Sequence, residues 1–149
     1  MDKIEQFRGE YNWLSNFASV PIEYDGVTYK SVEHAYLSAK SDDKEWKQVC
    51  SEDYPAGELK KISKGIEIVP NWDDMKIGVM KMLLVKKYSQ EPFTTKLLNT
   101  ENMIIEEGNY WGDTFWGVDL KSGYGENTLG KIIMNIREIL KDMKKFGRL

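Results

Sequence analysis

The chain is short of several things on which whole classes of protein depend. One cysteine in 149 residues, Cys50, excludes an intramolecular disulfide and fits a reducing compartment. One histidine, His34, excludes any multi-histidine metal site, and Cys50 alone cannot make up the deficit. No apolar run approaches the ~18 residues that cross a bilayer. Met1 leads straight into Asp2-Lys3-Ile4-Glu5, without the basic start, apolar middle and small-residue cleavage site of an export signal. The expectation is a cytoplasmic protein with no membrane contact. Positive charge is not in excess either: 21 Lys and Arg stand against 24 Asp and Glu, a net charge of -3. The chain therefore lacks the footprint of a nonspecific nucleic-acid binder. The best local basic strip, Lys141, Lys144, Lys145 and Arg148, is equally well explained as a solvated helix end with cations near its C-terminus. Internal repeats, low-complexity tracts and linkers are absent too, so residues 1–149 are expected to form a single domain.

What is present is enough to fold. Hydrophobic residues at 41% and aromatics at 12% exclude a disordered chain, and this length buries roughly two-thirds of its unfolded surface unaided. Asp25-Gly26, flanked by Ile22, Tyr24, Val27 and Tyr29, is a hairpin signal. Ser31 is placed to cap a helix through Lys40, Asp42 or Asp43 to start another through about Cys50, and Pro55 to begin a third ending near Gly65, in left-handed geometry. Asn71 is placed to cap the central helix from Trp72 to about Ser89. Its broad apolar face comprises Trp72, Met75, Ile77, Val79, Met80, Leu83, Leu84 and Tyr88. A short helix over Pro92 to Leu98, a strand from Met103 and a last helix from Thr128 complete the chain. In the last helix Leu129, Ile132, Ile133, Ile136, Ile139, Leu140 and Met143 recur at three and four residues. The fold class expected is α+β, helix-rich with a small β part.

The stretch from Gly108 to Asn127 places Trp111, Trp116, Asp113 and Asn127 among five glycines, directly ahead of that last helix. It is too polar and glycine-rich for core, yet holds two of the five tryptophans, which reads as a ligand-binding loop. Trp111 and Trp116, with Trp72 at a helix entrance, offer faces for a heteroaromatic base or a ribose. Asp113 is left open between a turn residue beside Gly112 and an acid in the pocket. Gly125 to Lys131 matches the Gly-x4-Gly-Lys of a phosphate loop but puts Ile132 where a hydroxyl should hold magnesium, and no buried strand precedes it. An NTPase is excluded. The weaker expectation, phosphate held by the amides and hydroxyls around Asn127 and Thr128, stands.

The helix Ser31 to Lys40 carries the other constellation. Glu33 and Lys40, seven residues apart, fall within roughly 20° on one face, about 10 Å apart along the axis, with Leu37 between them. Burial would raise the carboxyl pKa and lower the amine pKa toward working values. The alternative is an exposed pair on a surface helix. His34 has no Gly-x-Ser-x-Gly partner for a triad and reads as a satisfied structural residue.

Taken in order, Leu14-Ser-Asn-Phe17, Tyr24 to Lys40, Asn71-Trp72, Val79 to Tyr88, Leu97-Leu-Asn-Thr100, Glu106 to Val118 and Gly125 to Arg137 resemble the NADAR family of YbiA-like N-glycosidases. The likeness runs from about Phe7 to Leu140. It implies a single helix-rich α+β domain that hydrolyses N-glycosidic bonds to ribose. The substrate classes are phosphorylated ribosylaminopyrimidine intermediates of riboflavin synthesis and ADP-ribose attached to guanine in nucleic acid or nucleotides. By resemblance Glu33 and Asp113 match acidic active-site positions, Lys40 the lysine closing the helix motif and Trp72 an aromatic one. Ser15, Asn16, Phe17, Trp116, Gly117, Asn127 and Gly130 match the remaining pocket blocks. The chain departs from the pattern between Cys50 and Trp72, where Lys60, Lys61 and Lys64 stand in place of arginines; a lysine is a point charge without arginine's fork.

The reaction expected is acid-base cleavage of a ribose C1–N bond with no metal and no cofactor. Glu33 would move the proton and Asp113 would orient water or ribose hydroxyls. In a variant, Lys40 would capture a ring-opened sugar as a Schiff base. The rival readings are a non-catalytic ADP-ribose or nucleotide binder, and an interaction domain that uses its tryptophans as a partner surface.

Overall fold

Asp25 and Gly26 both adopt positive φ, 52° and 80°. This is the backbone geometry that lets a two-residue turn follow the twist of its flanking strands. β2 (Ile22–Tyr24) and β3 (Val27–Tyr29) pair antiparallel across it, and the register sets Ile22 opposite Tyr29, both buried. The computed structural model describes residues 2–149 and divides into two compact units, residues 16–87 and residues 2–15 with 88–149.

In the unit of residues 16–87 the hairpin leads into α1 (Val32–Ala39), capped as expected: Ser31 Oγ accepts from His34 N at 3.1 Å. All eight residues of α1 are buried, so this helix is the centre of its unit. α2 (Lys44–Ser51) starts at Asp43, whose carboxylate accepts from the amides of Glu45 and Trp46. α2 also completes α1: Trp46 Nε1 donates to Leu37 O at 2.8 Å and Lys47 Nζ to Ser38 O at 3.0 Å. Those carbonyls belong to the last turn of α1, where intrahelical partners run out. α3 (Ala56–Ile62) ends in a 3-10 turn over Ser63–Gly65. Lys40 O accepts from Val69 N at 2.8 Å, tying the segment ahead of α4 (Trp72–Tyr88) to the end of α1. At the head of α4, Asn71 stands at φ 64° and its carbonyl accepts from Asp74 N and Met75 N.

In the other unit β1 (Lys3–Ile4) pairs in parallel with β4 (Ile104–Ile105), and β5 (Gly108–Asn109) in parallel with β6 (Val118–Asp119). A 3-10 helix covers Gly9–Leu14. α5 (Phe93–Leu98) and β4 pack on α6 (Thr128–Lys145), whose inward residues Leu129, Ile132, Ile133, Ile136 and Leu140 are buried. Arg137 is buried among them and donates to Thr100 Oγ1 at 2.9 Å. The result is the expected helix-rich α+β fold with a small β part.

The apolar stripes are narrower than their patterns. Met75 on α4 and Ile139 on α6 are 45% and 50% exposed, because each lies at the edge of its stripe. Gly65 does not take the left-handed conformation, since the chain leaves α3 through the 3-10 turn. The inward face of α4 runs Met80, Leu83, Leu84 and then Lys87, at the i, i+3, i+4, i+7 spacing of one helix face. Lys87 is accordingly fully buried, and burial pushes its amine down to about 7.

Candidate active site

Glu33 sits in the first turn of α1 and is only 7% exposed. Its amide donates to Asn16 O at 3.0 Å, which pins the Asn16-Phe17 segment onto the start of the helix. Tyr36, Leu37 and Lys40 follow at i+3, i+4 and i+7 on the same face, with Tyr36 and Leu37 buried and Lys40 half-buried. Tyr36 is the link between the other groups. Its ring lies 5.2 Å from that of Trp72 with the planes at 54°, and Lys40 Nζ stands 5.5 Å from its centroid. Lys60 Nζ stands 6.0 Å from the centroid of Phe17. Asn16 Oδ1 is a buried acceptor with no hydrogen-bond partner among the described residues.

Electrostatics here is a contest between burial and pairing. Burial raises the Glu33 carboxyl above its ordinary range, against the opposing pull of Lys60, Lys40 and His34. Burial lowers the Lys40 amine; Glu33 opposes that shift, while Lys60 and Lys76 reinforce it. Desolvation wins at both ends, so both groups are driven toward the neutral form. A protonated carboxyl and an unprotonated amine are the forms that donate a proton and attack a carbonyl carbon. The exposed-pair alternative does not describe this helix.

His34 is structural. Its Nε2 donates to Tyr54 O at 2.8 Å, which leaves Nδ1 to accept from Ser31 Oγ at 2.6 Å.

The loop from Gly108 to Asn127 belongs to the other unit and is held by its own polar groups. Asn109 Oδ1 accepts from Asp113 N at 2.9 Å, and Asn109 Nδ2 donates to Asp113 O at 2.9 Å. Asp113 Oδ1 accepts from the amides of Phe115 at 3.1 Å and Trp116 at 3.0 Å. Of the two roles left open for Asp113, the turn is the one seen here. Trp116 is half-buried, edge-on to Phe115 at 4.9 Å; Trp111 is 61% exposed beside Gly112 at φ 80°.

The end of this loop corrects one expectation. The amides of Glu126, Asn127, Thr128 and Leu129 donate to the carbonyls of Thr114, Gly117, Phe115 and Trp116, so the start of α6 is closed by the loop itself and these donors are not turned to a phosphate. The Asn127 side chain is likewise engaged, accepting from Glu107 N at 3.0 Å and donating to Ile105 O at 2.9 Å. Gly117 and Gly130 permit close approach: a Cβ at Gly117 would lie 1.9 Å from Glu107 Oε2, and one at Gly130 would lie 2.2 Å from Ile105 O. Asn127, Gly117 and Gly130 therefore build the loop.

Of the expected site residues, Asn16, Phe17, Glu33, Lys40 and Trp72 lie in the unit of residues 16–87. Ser15, Trp111, Asp113, Trp116, Gly117, Asn127, Thr128 and Gly130 lie in the other. Tyr36 and Lys60 were not among them. Tyr36 was legible from its spacing between Glu33 and Lys40, whereas Lys60 depends on how α3 meets Phe17, which no local pattern encodes. Among the described residues no three His, Cys, Asp or Glu side chains gather as a metal site would need, and no helix is long and apolar enough to cross a membrane.

Residues 4–141 match the family model of the NADAR domain. The chain is 31% identical to the N-glycosidase YbiA of Shigella boydii over 137 residues, 88% of this chain and 82% of that protein. The N-glycosidase YbiA of Escherichia coli K12 matches to the same extent. A riboflavin biosynthesis protein of Vibrio vulnificus is 30% identical over 135 residues, 89% of this chain but 36% of that protein, so the chain spans about a third of its length. The solution structure of E. coli YbiA superposes with a TM-score of 0.82 at 27% identity, covering 95% of this chain and 85% of that one. With the family match spanning both units of the structure, the chain belongs to the NADAR family.

Proposed function

We propose that this chain is an N-glycosidase that cleaves the bond between a ribose C1 and the nitrogen of a base, and that its substrate is ADP-ribose joined to guanine. The observation that carries the reading is the buried face of α1, where Glu33 and Lys40 are both driven toward their neutral forms. Glu33 delivers its proton to the leaving nitrogen as the C1–N bond breaks. Water then adds to C1 and returns a proton to the carboxylate. A second route uses Lys40. Once the sugar ring has opened to an imine, Nζ adds to C1 and expels the base amine, leaving a Schiff base that water hydrolyses to the free aldehyde. Tyr36 and Trp72 form the aromatic wall of this face. The roles of Asp113 and Trp116 rest on the resemblance and that of Trp111 on its place in the polar loop; in this reading residues 1–149 act as one cytoplasmic domain.

The name of the Vibrio relative favours a second substrate, a phosphorylated ribosylaminopyrimidine of riboflavin synthesis. One experiment separates the readings. The protein is incubated with DNA carrying ADP-ribosylated guanine and, in parallel, with the ribosylaminopyrimidine phosphates, and free base is measured. Release of ADP-ribose from the first supports the proposal, release from the second alone transfers the activity to the riboflavin intermediates, and release from neither overturns it in favour of a binding module. Borohydride added during turnover decides the route: no adduct at Lys40 removes the Schiff base.

A further inference from the structure

α4 carries apolar residues on two sides. Met80, Leu83 and Leu84 are buried and supply the one stripe that a helix of a globular domain needs. Met75, Gly78, Met82 and Val85 form a second line, spaced by three, four and three residues, which is the repeat of a helix–helix seam. This line faces water: Met75, Met82 and Val85 are 45%, 39% and 48% exposed, and a Cβ at Gly78 would meet nothing within 4 Å. Large apolar side chains scattered singly over a surface need no account, but three in line do. Gly78 raises the same question. After proline, glycine is the poorest residue for the middle of a helix, and no neighbour within the chain requires its missing side chain. Where two helices cross at a glycine, however, their axes come closer than a larger residue allows.

The charges beside the line say what lies across it. Asp74 and Lys81 are exposed on one flank, with Gly78 between them, and neither has an ion-pair partner among the described residues. The other flank is neutralised within the chain, where Lys86 pairs with Glu23 at 3.2 Å. A copy of α4 running antiparallel across Gly78 sets its Lys81 against Asp74, its Asp74 against Lys81 and its Met82 over Met75. A parallel copy would oppose Asp74 to Asp74 and Lys81 to Lys81. Residues at these flanking positions are the ones that fix partner and orientation in paired helices. We infer that the outer face of α4 is a self-association surface, on which two copies of the chain pair antiparallel through Met75, Met82 and Val85, cross at Gly78 and close one flank with two Asp74–Lys81 ion pairs. The contact is self-complementary, so it ends at two copies. From Met75 to Val85 the helix runs about 15 Å, at the low end of specific interfaces, and a Kd on the order of 10 µM is expected. The inference is independent of the glycosidase reading.

Sedimentation velocity of the full chain from about 1 µM to about 1 mM tests it. The wild type is expected to pass from monomer to dimer. Asp74→Lys and Lys81→Asp, each alone, place like charges at both pairs, and each is expected to raise the Kd about tenfold. Mixed in equal amounts, the two variants restore opposite charges at both pairs, and the mixture is expected to recover at least the wild-type Kd. Met82→Glu puts a charge in the seam while staying in water in the monomer, and is expected to remain monomeric. Gly78→Gln is expected to weaken the dimer with a Tm no lower than that of the wild type, because glutamine is the better helix former; this separates a lost contact from a lost fold. A wild-type chain that stays monomeric to about 1 mM overturns the inference. So does a dimer that Met82→Glu or the single charge reversals leave at the wild-type Kd, or a mixture of the two reversals that associates no better than either alone.

Discussion

The Gly108–Asn127 loop and the Glu33–Lys40 face of α1 treat their polar groups in opposite ways. In the loop from Gly108 to Asn127 the side chains of Asn109, Asp113 and Asn127 are matched to backbone donors and acceptors, and glycines bring strands within the reach of a Cβ. On α1, by contrast, Glu33 is buried and Lys40 half-buried, and burial raises the carboxyl pKa and lowers the amine pKa against their mutual attraction. A region whose polar groups are satisfied by the fold is built for shape. A region whose ionisable groups are left in tension between burial and pairing is where chemistry is stored.

That contrast can be broken by substitution. Gly117→Ala has the largest expected effect, a loss of about 3 kcal/mol, because its Cβ would meet Glu107 at 1.9 and 2.1 Å; thermal unfolding measures it, and an unchanged Tm would show that the loop yields. Lys40→Met should cost about 100-fold in turnover, or about 2.7 kcal/mol of barrier, with little change in Tm. Full activity would assign the reaction to Glu33 without the amine. Asn127→Ala should lose about 2 kcal/mol by leaving Glu107 N and Ile105 O without their partner. If it instead lowered substrate affinity at constant Tm, Asn127 would return to the binding residues.

Lys87 sharpens the comparison from the core. Its amine is held near 7 by burial, below its unfolded value, so the unfolded chain binds the proton more tightly between pH 7 and about 10.5. Stability should therefore rise with pH across that window, by at most about 1.4 kcal/mol per unit. Lys87→Met should flatten the rise. A slope that survives the substitution would assign it to another group.

Local chemistry made much of this legible. Asp25-Gly26, Ser31 and Asp43 each do what their side chain or backbone freedom dictates within four residues, and the elements they start are found where expected. Glu33 and Lys40 could be placed on one face because helix periodicity is itself local. Lys87 escaped because a lysine inside an apolar stripe reads as a solvent position unless the period is trusted over the charge. Asn127 and Gly130 were legible as a motif, but not the closure of the helix start: the loop folds back onto α6, and the carbonyls that take the amides of residues 126–129 come from ten to thirteen residues earlier. Lys60 depends on how α3 meets the segment around Phe17, a tertiary fact with no periodic trace.

In the proposed reaction the buried carboxyl of Glu33 supplies the proton for C–N cleavage. It is tested most directly by base release from ADP-ribosylated guanine with wild type and Glu33→Gln in parallel, each checked for an unchanged Tm. A fall of at least about 100-fold is expected for the amide, which cannot give up a proton in the carboxyl's place. Turnover by Glu33→Gln at the wild-type rate would contradict it.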